Sequence, residues 1–299
     1  MDRFHQLKIF VAVVDNNGFA GAARKLNISP PAVTRAINEL ENRLGLRLLT
    51  RTTRIVRVTE TGARYAEDCR RILGELAQAD ASASGMHGAP RGRLALTAPV
   101  LFGNQFVTTI VTEYLRRYPD VSATCLFLDR VVNMLEEGVD VAVRIGELAD
   151  SSMQAIRVGQ VRRVICGAPT YFKQYGVPKT PEDLPEHRII SANSVTPIPE
   201  WRLVKNGVAH NVKLQPRLSI STNAAAATAA MSGFGVTQLL SYQVAEYLRD
   251  GKLKVVLEKF EPAALPVHVM HREGRHATQT VRAFLDLIIE RLRADPALH

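Results

Sequence analysis

Hydrophobic positions along the first sixty residues recur in three short helical registers. Leu7, Phe10, Val11 and Val14 share one face of a first helix. An Asn16-Asn17-Gly18 turn ends it, and a short helix over 19–26 follows, with Ala22, Ala23 and Leu26 facing inward. Val33, Ile37, Leu40 and Leu44 then mark one face of a third helix that stops at Gly45. Ser29 is placed to cap it. Pro30 and Pro31 fill its first turn, where backbone N–H groups lack intrahelical partners and proline removes little. Its opposite face carries Pro31, Thr34, Arg35, Asn38 and Asn42. Taken alone, that face reads first as a solvated helix surface.

Residues 46–62 alternate as a two-stranded hairpin, with Arg51, Arg54 and Arg57 at its tip and second strand. Over 59–84 a long helix repeats Ala66, Cys69, Leu73, Leu76, Asp80 and Ala83 at three- and four-residue steps. The stripe suits pairing with a second copy. Asp80 interrupts it, so a single linker helix packed on its own domain is the alternative. A Gly-, Ser- and Pro-rich stretch over 82–93 reads as a hinge.

Beyond the hinge the period changes. A strand at 94–97, a helix over 103–118 stopped by Pro119, a strand at 121–128, a helix at 130–137 and a strand at 139–145 form a βαβαβ pattern, which predicts a parallel sheet. A second set follows: strands at 164–167, 189–191, 218–221 and 236–239, with a helix at 223–231. Asn206-Gly207 marks an inserted hairpin. A strand at 266–270 and a stripe of Val281, Phe284, Leu285, Ile288 and Leu292 close the chain. Two α/β halves imply a cleft, with ligands outside the carboxyl ends of strands.

Helix, tight turn, capped helix and basic hairpin together form a winged helix-turn-helix, whose second helix can enter the major groove. Charge supports this. The chain has a formal net charge of +9, and residues 1–64 hold eleven basic against five acidic residues, +6 of that total. A basic balance implies a polyanionic partner, and its position points to DNA. On this reading Ser29, Pro30, Pro31, Thr34, Arg35 and Asn38 form the DNA-binding face, with Thr34 and Arg35 reading bases, while Arg51 and Arg54 hold phosphate or minor groove.

The run AARKLNISPPAVTRAINELENRLGLRLLTRTTRIVRVTETG resembles the signature of LysR-type transcriptional regulators. RGRLALTAPVLFG, YPDV, EEGVDVAVRIGEL, TPEDLPEH and GFGVTQLLSYQV resemble that family's effector-domain landmarks, in order. The resemblance implies a multidomain α/β chain. A DNA-binding domain spans 1–58, and a linker or dimerisation helix and hinge span 59–88. A two-lobed effector domain like a periplasmic binding protein spans 89–299, with lobe I about 89–160 plus 266–295 and lobe II about 161–265. The partners it implies are a double-stranded DNA operator, a small-molecule effector and further copies in a homodimer or homotetramer. RNA polymerase is a further candidate. No cofactor, metal or membrane partner is expected.

Three edges of the expected cleft carry candidate contacts. The first is the turn of Thr97, Ala98, Pro99 and Phe102, with Leu128 nearby, where a hydroxyl and free amides can hold a carboxylate or carbonyl. Pro99 and Leu128 stand where relatives are often polar, which favours a mostly apolar ligand with one polar or anionic group. The second is Arg144 and Ile145 at a strand end, Arg144 either facing an anion or pointing outward to an acid. The third is Thr222 and Asn223, either contacting the ligand or only capping their helix. GxSxG, P-loop and HExxH motifs are absent. Cys69 reads as a small residue of the helix seam, and Cys125 and Cys166 as buried strand residues; the odd cysteine count and the lack of a signal peptide predict a cytoplasmic protein. A solute-binding protein and an α/β enzyme are the competing classes. The basic N-terminal region disfavours the first, and the missing nucleophile and metal motifs the second.

Overall fold

The computed structural model describes residues 2–51, 56–83, 89–130, 132–148, 153–192, 200–271 and 278–299. Contacts divide the chain into two units, Met1–Gly92 and Arg93–His299.

The first unit contains α1 (Arg3–Asp15), α2 (Phe19–Leu26), α3 (Pro30–Leu44), β1 (Leu49–Arg51), β2 (Val56–Val58) and α4 (Glu60–Ala83). Ile9, Phe10, Val13, Val33, Ile37, Leu40 and Leu48 are buried in one core. The stripe read from sequence explains α3: its four apolar residues turn inward, and Gly45 adopts the left-handed conformation (φ 68°) that ends the helix. Strands β1 and β2 pair antiparallel, Leu49 opposite Val58. Arg54 lies outside the described residues.

The long helix α4 departs from the seam reading in its first half. Ala66 and Cys69 are fully buried in the core of their own unit, and Tyr65, Ile72 and Leu73 pack against it. Gly62 is required there, because a Cβ would stand 2.1 Å from the Leu48 carbonyl oxygen. The single-domain packing of the helix therefore uses the N-terminal part of the stripe. The side chains of Asp80 and Ala83 lie outside the described residues.

The second unit holds two five-stranded sheets. Lobe I is built from β3 (Gly92–Ala98), α5 (Val100–Phe102), a π-helical turn (Gly103–Val107), α6 (Thr108–Arg117), β4 (Val121–Phe127), β5 (Val141–Ile145) and β6 (Gln154–Val161). The chain then forms lobe II from β7 (Arg163–Gly167), α7 (Pro169–Tyr175), β8 (Ile189–Ser191), β9 (Glu200–Lys205), β10 (Val208–Lys213), β11 (Pro216–Ser219), α8 (Asn223–Met231), β12 (Val236–Leu240), α9 (Ser241–Arg249) and β13 (Lys254–Val256). It returns to lobe I with β14 (Leu265–His271) and α10 (Gln279–Arg293). Strand orders are β4-β3-β5-β14-β6 and β11-β8-β12-β7-β13.

Both sheets are mixed, which corrects the parallel sheet expected from alternation. In lobe I, β3 and β5 run parallel, but β14 enters antiparallel between β5 and β6 on its return from lobe II. In lobe II, β8 is parallel to β11 and β12, while β7 is antiparallel to β12 and β13. Only Arg162 separates β6 from β7, so the chain carries straight on across the lobe boundary.

The helix expected at 130–137 is absent from the described residues, which form turns. The Asn133 side-chain oxygen accepts from the Leu135 and Glu136 amides (3.1 and 3.4 Å), and Arg130 grips Glu137 with two hydrogen bonds of 2.7 and 3.0 Å. Such local side-chain bonds compete with helical ones. The helix read at 103–118 instead starts at Val100 and passes through the π-helical turn. Gly103 is needed in that turn, since a Cβ would meet the Phe127 ring at 2.4 Å.

Candidate functional site

The exposed face of α3 is built around a blunt tip. Ser29 Oγ accepts from the Ala32 amide at 3.4 Å, and the Ser29 carbonyl accepts from Ala32 and Val33 at 3.0 and 3.2 Å. Pro30 and Pro31 have no N–H to offer. The tip thus presents pyrrolidine surface rather than amide donors, and polar contacts fall to the next turns. Thr34 donates its hydroxyl to the Pro30 carbonyl at 3.1 Å, while Arg35 and Asn38 are exposed. Pro30, Pro31, Thr34, Arg35 and Asn38 line one open groove together with Glu39 and Asn42. Glu39 was not among the sequence candidates. Its spacing of four from Arg35 was the available signal, and it also accepts from Gln6 Nε2 at 2.9 Å. A second groove lies between α2 and α3, lined in part by Arg24, Asn27 and Ser29.

A buried carboxylate fixes the wing to this helix. Glu41 is 3% exposed. Its Oε1 accepts from the Leu48 and Leu49 amides at 2.8 and 3.0 Å, and its Oε2 pairs with Arg47 at 2.9 Å. Burial alone would raise its pKa. The two amides and the guanidinium outweigh that and hold it below the usual glutamate value. Of Arg51, only the strand backbone is described.

The three expected edges of the second unit fare differently. Thr97 is fully buried and gives its hydroxyl proton to the Leu126 carbonyl at 2.6 Å. That corrects its reading as a ligand-facing hydroxyl: the neighbouring strand β4 takes the proton. Ala98 and Phe102 are also fully buried, and Phe102 stacks among Phe106 and Tyr242, ring centres 4.6 and 5.4 Å away. These residues shape the site instead of presenting polar groups. Pro99 precedes α5, and the next amide, Val100, is already bonded to Asp129 Oδ1 at 3.0 Å. The anion position expected at this turn is occupied by the chain's own carboxylate. Sequence reading missed Asp129, because nothing local ties it to a turn 29 residues away. Leu128 packs with Leu126, Met134 and Ala142.

Thr97 and Arg144 share one face of the sheet. Thr97 pairs with Ala142 across β3 and β5, and alternation puts Arg144 on the same sheet face. Arg144 is half-buried, with Nη2 3.5 Å from the Val132 carbonyl. Burial draws its pKa below the ordinary guanidinium value, with Glu137 pulling it up and Arg130 down. Opposite it on β14 stands His268, whose Nδ1 is buried with no partner among the described residues. Ile145 turns the other way, against the main lobe I core. Thr222 caps α8, its Oγ1 accepting from Ala225 at 3.3 Å, as the capping alternative requires; Asn223 opens the helix and is half-exposed.

Two cysteine readings, of Cys69 and Cys125, need correction. Cys166 is buried, and burial pushes its thiol up to about 12. Cys69 is buried too, in its own unit, with its thiol raised to about 11 by burial. Cys125 is exposed on β4, an edge strand, contrary to the buried reading. Among the described residues, no helix is long and apolar enough to cross a membrane.

Comparison with known proteins agrees with this architecture. The bacterial regulatory helix-turn-helix protein, lysR family, matches residues 4–63, and the LysR substrate binding domain matches residues 87–293. An HTH-type transcriptional regulator of Xanthomonas campestris pv. campestris is 30% identical over 291 residues, covering 96% of this chain and 85% of the relative. The solved structure of CrgA, a LysR-type transcriptional regulator from Neisseria meningitidis, superposes with a TM-score of 0.62 at 28% identity, covering 96% of this chain and 98% of that one. Full-length AphB, the Vibrio cholerae virulence activator, gives 0.60 at 25% identity, covering 97% and 99%. With a capped helix presenting a polar groove, a basic N-terminal region and a two-sheet second unit, the chain belongs to the LysR family of transcriptional regulators, DNA-binding proteins with a substrate-binding regulatory domain.

Proposed function

We propose that this regulator reads its operator with the exposed face of α3 and is controlled by a small molecule held between the lobes of its second unit. The observation that carries the reading is the α3 groove, where Thr34, Arg35 and Asn38 stand outward on a helix whose other face is locked in the core. Ser29, Pro30 and Pro31 set the tip against base edges. Arg51 and Arg54 of the wing hold phosphate or minor groove. Arg35→Ala weakens specific operator binding by about 1–3 kcal/mol and relaxes one position in each half-site. Gel shifts with the gene's own upstream DNA at two salt concentrations measure this. An Arg35→Ala protein that binds as tightly and selectively as wild type removes Arg35 from the base-reading role.

The effector is mostly apolar and carries one polar or anionic group. Rings of Phe106 and Tyr242 near the Pro99 turn, and the cation of Arg144, support that chemistry. Asn223 supplies an amide from lobe II. Effector binding acts through unequal affinity for two arrangements of the lobes, which passes to the paired DNA-binding units of a dimer or tetramer. The protein works in the cytoplasm as a regulator and not as an enzyme. In an operator-linked reporter, Arg144→Ala binds operator normally and needs at least tenfold more inducer. An unchanged inducer response places the ligand elsewhere.

A further inference from the structure

Lobe II carries hydrogen-bond donors that have no acceptor among the described residues. β7 begins at Arg163, one residue after the chain enters from lobe I. Val164 and Cys166 point into the core beneath α8, whereas Ile165 points into the core beneath the β9–β10 hairpin. Alternation puts Arg163 on the Ile165 face. It is half-buried there, and the charge acting on it is a like one, the solvent-exposed guanidinium of Arg202 on β9. Burial, and then that neighbour, draw its pKa below the ordinary value. Among the described residues, neither guanidinium has an acceptor.

β12 runs antiparallel beside β7, with Leu240 opposite Arg163 and Gln238 opposite Ile165. Val236 lies in the hairpin-side core and Leu239 in the other, so Gln238 shares the face of Arg163. Its Nε2 is buried and has no acceptor among the described residues. A half-buried guanidinium without a counter-ion is costly, and a second one beside it adds repulsion. A buried amide N–H without an acceptor is costly in the same way. Both Arg163 and Gln238 donate. One partner satisfies them together: an oxyanion, which a guanidinium can grip with two parallel hydrogen bonds. The start of β7 is also placed for a ligand between lobes, since Arg163 pairs with the last residue of β12 where the chain crosses at Arg162. At the Pro99 turn of lobe I, the Val100 amide already donates to Asp129 and is not free for a ligand.

We propose that Arg163, with Gln238, forms an oxyanion-binding subsite of lobe II that takes the carboxylate or phosphate group of a small molecule. The inference rests on the effector reading only for the ligand's biological role. Binding at the subsite is measured without DNA, so its failure and a failure of inducer response are separate results.

Trp201 provides the probe. It is the chain's single tryptophan, precedes Arg202 on β9 and is 5% exposed. Full-length protein is titrated with sodium phosphate and, separately, with sodium cyclohexanecarboxylate, against sodium chloride of equal ionic strength. Tryptophan emission and the thermal midpoint are followed. A saturable change with one of the two oxyanions, absent with chloride, is expected; which one responds identifies the phosphate or the carboxylate source. Arg163→Gln raises the half-saturation concentration at least tenfold, and Gln238→Leu raises it severalfold. Without added anion, Arg163→Gln melts no lower than wild type, because it removes an uncompensated charge. The proposal is overturned by no saturable response beyond chloride, by an unchanged half-saturation in Arg163→Gln, or by a lower anion-free midpoint in that variant, which would make the arginine structural.

Discussion

Glu41→Ala destabilises the N-terminal unit by about 3–5 kcal/mol, because two buried amides lose their acceptor at once. The Leu48 and Leu49 amides both point at Glu41 Oε1 inside the core, and no water can reach them cheaply once it is gone. The exposed partner Arg47 adds little, being a surface guanidinium. The loss is a large fraction of what a small domain has. Its signature separates the units. Trp201 lies in the second unit. Helical ellipticity in the variant therefore falls in an early transition that tryptophan emission does not follow. The same carboxylate predicts an acid dependence. Its folded pKa is below the unfolded value of about 4.3, so its contribution is complete above that pH. The contribution is lost as pH falls through the folded pKa. Glu41→Gln keeps an acceptor for the amides and removes this acid-sensitive step. Coincident transitions in Glu41→Ala would show that the wing does not depend on this anchor.

Elements with a local signal were legible. The Ser29 cap, the double proline, the Val33–Ile37–Leu40–Leu44 stripe and the Gly45 stop all act within a few residues, and α3 follows them. Asn206 and Gly207, both at positive φ, close the β9–β10 hairpin as the dipeptide predicts. What stayed hidden depends on distant partners. β6 has no turn signal to announce it and exists because β14 pairs along its length. The direction of β14 follows from where lobe II ends, which no window of sequence contains. The candidate cleft shows the same division. Arg144 is a candidate from its place at a strand end, which a local window contains. The burial of Thr97 and the capture of the Val100 amide by Asp129 needed β4 to be placed beside β3. Arg163 is one arginine among many in the sequence, and only the register of β7 against β12 sets it beside Gln238.

Leu76→Glu converts the protein to a form that no longer bridges two half-sites. α4 runs 24 residues, a rod of about 36 Å at 1.5 Å per residue, and its first turns are spent on their own unit through Ala66 and Cys69. Leu76, one turn beyond Ile72 and Leu73, is half-exposed and falls outside that unit's core. An apolar residue left over on a long helix is what a second copy needs for pairing, and a glutamate there places like charges against each other across the seam. Pairing holds the second DNA-binding unit near its half-site at a high effective concentration. Its loss therefore weakens binding to a two-half-site operator by about 10²–10⁴-fold. Binding to a single isolated half-site changes little, since α3 and the wing are untouched. Arg35→Ala differs on this point, because it weakens single and paired sites alike. Sedimentation velocity on Leu76→Glu shows a smaller species if α4 carries the pairing. An oligomer of unchanged size with operator affinity intact would move the seam to another surface of the chain.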